Sequence, residues 1–323
     1  MRAIKVKDNA VLAWEEVTTP EPKANEVQIK IHASAVNRAD LLQRQGMYPP
    51  PPGASDVMGL ECAGEVMALG ADVKGFQIGD PVCALLAGGG YAEVTTVDAG
   101  SVLPLPNGLS MEQGAALPEV FATAWLNIFM EANLAPGEKV ILHAGASGVG
   151  TAGIQLCEAF GSPTFVTVGS ADKLAACLDL GASAGSNRHE GSFVDKAKAF
   201  APDGVAVILD PVGGSYLADN LSLLGMGGRL VLIGLMGGAQ TEINLGMMMM
   251  KRLRVIGSTL RARPLAEKAA VMAQLKEKVW PKIEAGEIKP IVDTVFPIEK
   301  TDAAHQLVTS DQTIGKVILT VAQ

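Results

Sequence analysis

The residues best placed to do chemistry lie between Lys139 and Gly161, KVILHAGASGVGTAGIQLCEAFG, where a short apolar run meets clustered glycines and then a helical pattern. Val140, Ile141 and Leu142 predict a compact buried strand. Gly145, Ser147, Gly148 and Gly150 keep bulk out of the turn that follows, so backbone N–H groups at a helix start can face a phosphate. Two glycine registers compete. Gly148, Gly150 and Gly153 spell the literal G-x-G-x-x-G, but that places the second and third glycines inside the helix. Starting at Gly145 puts the turn where the strand ends, with Ser147 at the middle-glycine position and Gly150 as the packing glycine. A glycine motif alone also fits an ordinary turn. The strand before this one, and the face Val149, Ala152, Ile154, Leu156, Cys157 and Phe160 after it, favour dinucleotide binding.

The type of dinucleotide is read at the end of the next strand. A site for a free ribose 2'-hydroxyl carries Asp or Glu about 20 residues past the turn. Here the strand ends Val168-Gly169-Ser170, with Lys173 in the first turn of the following helix, where the helix dipole disfavours a cation unless an anion sits beside it. Asp172 is the counter-evidence, although a first-turn carboxylate has a purely structural account. Arg188 is a second candidate for the phosphate, or a solvated surface arginine. Together Ser170, Lys173 and Arg188 favour NADPH. Earlier in the chain, Asn37-Arg38-Ala39-Asp40 precedes Gly46-Met47-Tyr48 and four prolines, Pro49 to Pro52, whose stiffness fixes the place of Tyr48. On these residues alone, Tyr48 packing at the base of a rigid loop competes with a functional role.

These residues need elements to hold them. From Met1 to about Pro118 the pattern is short and β-rich: Val27, Ile29 and Ile31 alternate with Gln28, Lys30 and His32, and further strands fit 64–69, 81–86 and 91–97. From about Val120 the pattern becomes alternating strand and helix. Strands are expected at 164–168, 183–187, 205–209, 230–233 and 253–257, with helices at 171–180, 193–200 and 216–224. That is a doubly wound parallel sheet, with ligands beyond the carboxyl ends of its strands. One amphipathic helix is expected over 265–284, and the closing strand signal Lys316 to Val321 should fold back onto the first domain. The four-methionine run 247–250 reads as soft core or interface packing.

The totals bound the class. The chain has 323 residues, suits about two domains, and is 48% apolar without any run near the roughly 20 residues of a membrane helix. Four cysteines in no paired spacing, and an N-terminus without a long apolar stretch, point to a reduced, cytoplasmic setting. A net charge of −8 with no basic cluster argues against nucleic acid as a partner. His32, His143, His189 and His305 show no ligand spacing, and Asp210 before Pro211 reads as a turn former.

The stretches NRADLLQRQGMYPPPPG, GLECAGEV, HAGASGVGTAGIQL, VTVGSADKL, LDPVGGSY, LIGLMGG and IGKVIL, in that order along the chain, carry a resemblance. The chain resembles the zinc-free quinone oxidoreductases, the zeta-crystallin-like group of the medium-chain dehydrogenase/reductase superfamily, and is most similar to their tumour-suppressor-inducible branch. The resemblance implies an α/β fold with a GroES-like β-rich catalytic domain over 1–120, completed by 264–323, and a Rossmann NADPH-binding domain over 121–263. It implies a cleft holding NADPH and a homodimer joined near Val255 to Leu260. Zinc-dependent relatives carry Cys where Asn37 stands and Gly-His-Glu where Gly59-Leu60-Glu61 stands, so no metal is expected.

Carried over by resemblance, Asn37 and Thr123 lie near the nicotinamide; Gly145, Ser147, Gly148 and Val149 take the pyrophosphate; Gly169, Ser170 and Lys173 take the adenosine phosphate. Gly234, Leu235 and Met236, with Ser258, Thr259 and Leu260, line the nicotinamide side, and Lys316 closes the cleft. Relatives commonly have Tyr where this chain has Arg188 after Asn187. The implied reaction is transfer of a hydride or electrons from NADPH to a quinone, with Tyr48 stacking on the acceptor or donating to its oxygen. Two rivals stand beside it. One is an NADPH-dependent enal or enone reductase, and the other is a non-enzymatic NADPH-binding structural or RNA-binding protein.

Overall fold

The computed structural model describes residues 1–322, which form two compact units. One comprises Met1–Ala122 and Leu260–Gln323, the other Thr123–Thr259.

The second unit is built on six parallel strands: Val140–His143, Thr164–Val168, Ala184–Asn187, Val205–Asp210, Leu224–Leu232 and Arg254–Gly257. Numbered along this unit, their order across the sheet is 3-2-1-4-5-6, that of the dinucleotide-binding fold. Val140, Ile141 and Leu142 have no exposed surface, as expected for the first strand of a sheet covered on both faces. Strand order reverses between the first and fourth strands, the switch point beside which folds of this kind bind their ligands. The fifth strand begins six residues before the expected 230, because Leu224 already pairs with Val205, with a register shift before Arg229.

The first unit carries a seven-stranded sheet around Glu26–Ala35, which pairs antiparallel with Glu61–Leu69, Val94–Asp98 and Lys316–Thr320. The C-terminal strand thus returns to the first domain as its apolar pattern requires. Alternation along Glu26–Ala35 is imperfect: Gln28 is buried too, and its Nε2 donates to the Pro20 carbonyl at 2.7 Å. With partners on both edges the strand has little solvent-facing surface, so a polar side chain must find a local acceptor.

The single helix expected over 265–284 is two, Leu265–Lys278 and Trp280–Glu284. Pro281 lacks an N–H and restricts the residue before it, so the first helix cannot continue through it. All four cysteines are free and buried. Among the described residues, no helix is long and apolar enough to cross a membrane.

Candidate active site

The glycine turn has the geometry its spacing predicts. The helix Gly148–Ala159 starts directly after it, capped by Ser147, whose Oγ accepts the Gly150 N–H at 3.1 Å. A Cβ on Gly150 would lie 2.4 Å from the Gly145 carbonyl oxygen and 2.5 Å from that of Ala144, whereas one on Gly153 would meet only side-chain carbons at 3.2 Å and beyond. The glycine packed against the turn is therefore Gly150, the position that the register beginning at Gly145 gives to the packing glycine. Gly148 and Val149 occupy the first helical positions, where N–H groups have no intrahelical acceptor and point out of the helix end, the arrangement that binds a pyrophosphate.

A second group gathers at the end of the neighbouring strand. Ser170 caps the helix Ala171–Asp179 by accepting the Lys173 N–H at 3.2 Å. A Cβ on Gly169 would lie 3.2 Å from Arg188 Nη2, so the guanidinium rests directly against that glycine. Arg188 is brought there by parallel pairing of Asn187 with Val168 and by its own N–H bond to the Val168 carbonyl at 2.9 Å. Asp172 is exposed at the start of its helix. Gly169, Ser170, Lys173 and Arg188 thus converge at one strand end. Gly234, Leu235 and Met236 follow the fifth strand and Ser258 and Thr259 follow the sixth, again at carboxyl ends. Thr123 lies in this unit on the helix Pro118–Trp125, and its carbonyl accepts Asn127 Nδ2 at 2.8 Å. His143 and Asp210 serve the core: the imidazole bridges Thr167 and Asn220, and Asp210 caps its turn by accepting the Val212 N–H at 2.6 Å.

In the first unit, Asn37 and Lys316 meet although they are 279 positions apart. Lys316 opens the C-terminal strand, Asn37 follows the strand it pairs with, and Glu61 opens the next strand over. The Lys316 ammonium donates to Asn37 Oδ1 at 2.6 Å, to the Val36 carbonyl at 2.9 Å and to Glu61 Oε1 at 2.7 Å. Asn37 Nδ2 also donates to Glu61 Oε1 at 2.9 Å, and the Glu119 backbone N–H donates to Glu61 Oε2 at 2.9 Å. Glu61 has no exposed surface and Lys316 is 4% exposed, so a buried charge pair lies at the centre of the cluster.

Two acids around this pair are perturbed. Burial, and then the Glu61 charge, push the Glu119 carboxyl up to about 8. Burial likewise raises Asp40 to about 6, against the pull of the Asn37 and Gly59 N–H groups it accepts. Tyr91 also donates to Asp40, at 3.1 Å. Tyr48 lies under Arg261, whose Cζ stands 5.3 Å from the ring centroid, a cation–π arrangement. Arg261 donates to the carbonyls of Ala87 and Tyr48 and to Gln43 Oε1. Burial and the Glu119 charge raise the Tyr48 hydroxyl above its ordinary value. Leu260 is buried beside Arg261 in the chain. Glu61 lies in the stretch GLECAGEV, where Gly59-Leu60-Glu61 stands in place of Gly-His-Glu, but nothing local marks Glu119 or Arg261.

Zinc is held by thiolate, imidazole or carboxylate donors converging tetrahedrally. Here an amide oxygen and a carboxylate converge on an ammonium, which already fills the cation position. Among the described residues, no three His, Cys, Asp or Glu side chains are placed to hold a metal ion. The donor set does not fit zinc.

Residues 23–107 match the alcohol dehydrogenase GroES-like domain and residues 148–277 match the zinc-binding dehydrogenase family. The chain is 33% identical over 326 residues to the quinone oxidoreductase of Rattus norvegicus, covering 99% of this chain and 97% of that protein. The structure is similar to Escherichia coli quinone oxidoreductase complexed with NADPH, with a TM-score of 0.86, 30% identity, and 99% and 98% of the two chains covered. It is similar also to CurK enoyl reductase, with a TM-score of 0.85, 27% identity, and 99% of each chain covered.

Proposed function

Because the chain belongs to the quinone oxidoreductase family of the medium-chain dehydrogenase/reductase superfamily, we propose that this oxidoreductase uses NADPH to reduce a quinone without a metal. The observation that carries the reading is the Lys316 ammonium seated between Asn37 and Glu61. With the cation position filled by a side chain, no Lewis acid is called on to polarise the acceptor, and a readily reduced acceptor such as a quinone needs none. NADPH supplies the hydride and its electron pair. The protein's task is to align the acceptor and exclude water.

In this reading Gly145, Ser147, Gly148 and Val149 hold the pyrophosphate, while Gly169, Ser170, Lys173 and Arg188 hold the adenosine 2'-phosphate. The guanidinium against Gly169 favours NADPH over NADH, since a planar donor fork suits a phosphate. Thr123, Gly234, Leu235, Met236, Ser258, Thr259 and Leu260 serve the nicotinamide side, with Asn37 and Lys316. Tyr48 stacks on the acceptor or donates to its oxygen. A homodimer through the sheet edge is part of the proposal. Among the described residues, the terminal strand Arg254–Gly257 has one unpaired edge, and Met249 is 78% exposed nearby in sequence.

The test is a steady-state panel of NADPH against NADH with ortho-quinones and α,β-unsaturated ketones. NADPH should win in kcat/KM, and Lys173→Glu and Arg188→Glu should each narrow the gap by roughly 10- to 100-fold, the worth of a charged hydrogen bond. Equal use of both cofactors by the parent sinks the NADPH assignment. Tyr48→Phe and Tyr48→Ala turning over quinones at the parental rate would remove Tyr48 from the site. Similarity to an enoyl reductase favours enone reduction as the second reading, and faster turnover of enones than quinones would establish it. Sedimentation at twice the chain mass is expected, and a monomer refutes the dimer.

A further inference from the structure

A cavity of about 540 Å³ lies within the first unit, among the turn Asp8–Ala10 and the helices Arg38–Arg44 and Thr301–Thr309. None of the residues assigned above to cofactor or acceptor lines it. Gln45 and Gln306 on its wall are exposed, so it opens to solvent. Arg44 is fixed in the wall: its Nε donates to the Ala10 carbonyl at 2.7 Å, and its Nη2 lies 2.6 Å from Asp302 Oδ1. A guanidinium has more N–H donors than these contacts use, and among the described residues nothing else accepts from it.

His305 lines the same cavity and is 3% exposed. Its Nε2 stands 3.3 Å from the Tyr91 hydroxyl, which gives its one proton to Asp40 Oδ2 at 3.1 Å. The imidazole hydrogen must therefore sit on Nε2 and point at the tyrosine oxygen. Burial, and then the Arg44 charge, push this imidazole down to about 4, so it is neutral at ordinary pH. A neutral imidazole has a single N–H, which leaves Nδ1 a bare acceptor. Nδ1 is buried, and among the described residues no donor reaches it. The neighbouring hydroxyls cannot help, because Thr309 and Ser310 spend their protons on the His305 and Leu307 carbonyls, each at 2.8 Å.

We propose that this cavity is a second ligand site, for a ring-sized hydroxycarboxylate whose carboxylate pairs with Arg44 and whose hydroxyl donates to His305 Nδ1. The chemistry of the wall sets the class. A buried acceptor without a donor is unfavourable, and a hydroxyl from outside supplies the missing hydrogen. The spare edge of a guanidinium suits a carboxylate, which it can hold by paired N–H bonds. Asp302 already offsets part of the Arg44 charge, so one negative charge fits better than the two of a phosphate. A volume of about 540 Å³ is in the range of small-molecule sites and far larger than an inorganic ion requires. Leu41 and Ala10 give the ring an apolar wall. The site is the same whether the enzyme reduces quinones or enones.

The experiment is calorimetric titration of the full chain, with excess NADP⁺ present to occupy the phosphate positions, using 2-, 3- and 4-hydroxybenzoate, benzoate and phenol. The best hydroxybenzoate should bind roughly 3- to 10-fold tighter than benzoate, the worth of one neutral hydrogen bond, and roughly 10- to 100-fold tighter than phenol, the worth of a charged one. Arg44→Gln should bring that hydroxybenzoate to the affinity of phenol. His305→Phe should bring it to that of benzoate and leave benzoate itself unchanged. Because His305→Phe also disturbs the packing beside Tyr91, nitrogen-15 NMR of the parent gives an independent readout: the His305 Nδ1 resonance should shift as hydroxybenzoate binds and stay in place with benzoate. Failure of all three isomers to bind at millimolar concentration overturns the proposal. So do equal affinities for hydroxybenzoate, benzoate and phenol, parental affinity in Arg44→Gln, or an Nδ1 resonance unmoved at saturation.

Discussion

Lys316→Met is the sharpest test of the buried cluster. Methionine keeps most of the lysine stem but removes the ammonium. Glu61, with no exposed surface, is then left with only the Asn37 and Glu119 N–H donors, and the Val36 carbonyl and Asn37 Oδ1 lose their donor. Removing one partner of a buried charge pair costs about 3–5 kcal/mol. A domain of this size loses about 2–4 °C of Tm per kcal/mol, so the melt of the first unit should fall by about 6–20 °C. The assay is thermal unfolding of the parent, Lys316→Met, Glu61→Gln and the double variant, which closes a double-mutant cycle. Because removing both charges spares the protein an unpaired one, the double variant should be more stable than the two single losses imply, by about 0.5–3 kcal/mol. Additive losses, or a shift of less than about 2 °C in Lys316→Met against the slope used here, would refute the reasoning.

Other outcomes follow from the same structure. Gly150→Ala drives a methyl into the Ala144 and Gly145 carbonyls; it should cost about 1–3 kcal/mol and abolish NADPH binding by fluorescence titration, whereas Gly153→Ala should retain it. Asp40→Asn replaces an acceptor of the Asn37, Gly59 and Tyr91 donors with a group that also donates, and chemical denaturation should show a loss of about 1–3 kcal/mol. Glu119 binds its proton more tightly folded than unfolded, so its contribution is fully present below its ordinary value near 4.5 and is lost as pH rises through about 8. Denaturation midpoints should therefore fall across that window in the parent and fall less steeply in Glu119→Gln.

The local half of this protein is written in its sequence. A strand, a turn and a helix are consecutive in the chain, so the apolar run at 140–142 and the spacing of Gly145, Ser147 and Gly150 suffice to place the glycine turn, and strand–helix alternation suffices for a parallel sheet. A few local details escaped. The proline at 281 splits one helix into two, and register pairing with Val205 starts a strand early at Leu224. The other half was decided by tertiary pairing. Arg188 reaches Gly169 only because neighbouring strands set the register of Asn187 against Val168. Lys316, Asn37 and Glu61 meet only because the C-terminal strand docks beside Glu26–Ala35. Glu119 and Arg261 carry no motif. The charge of Glu119 is set by what surrounds it, and burial beside Glu61 cannot be read from residues separated by 58 positions. The sequence alone marks the strand, glycine turn and helix of a dinucleotide-binding unit, because that unit uses contiguous backbone. The structure decided which acids are raised, because a pKa depends on neighbours that only folding brings together.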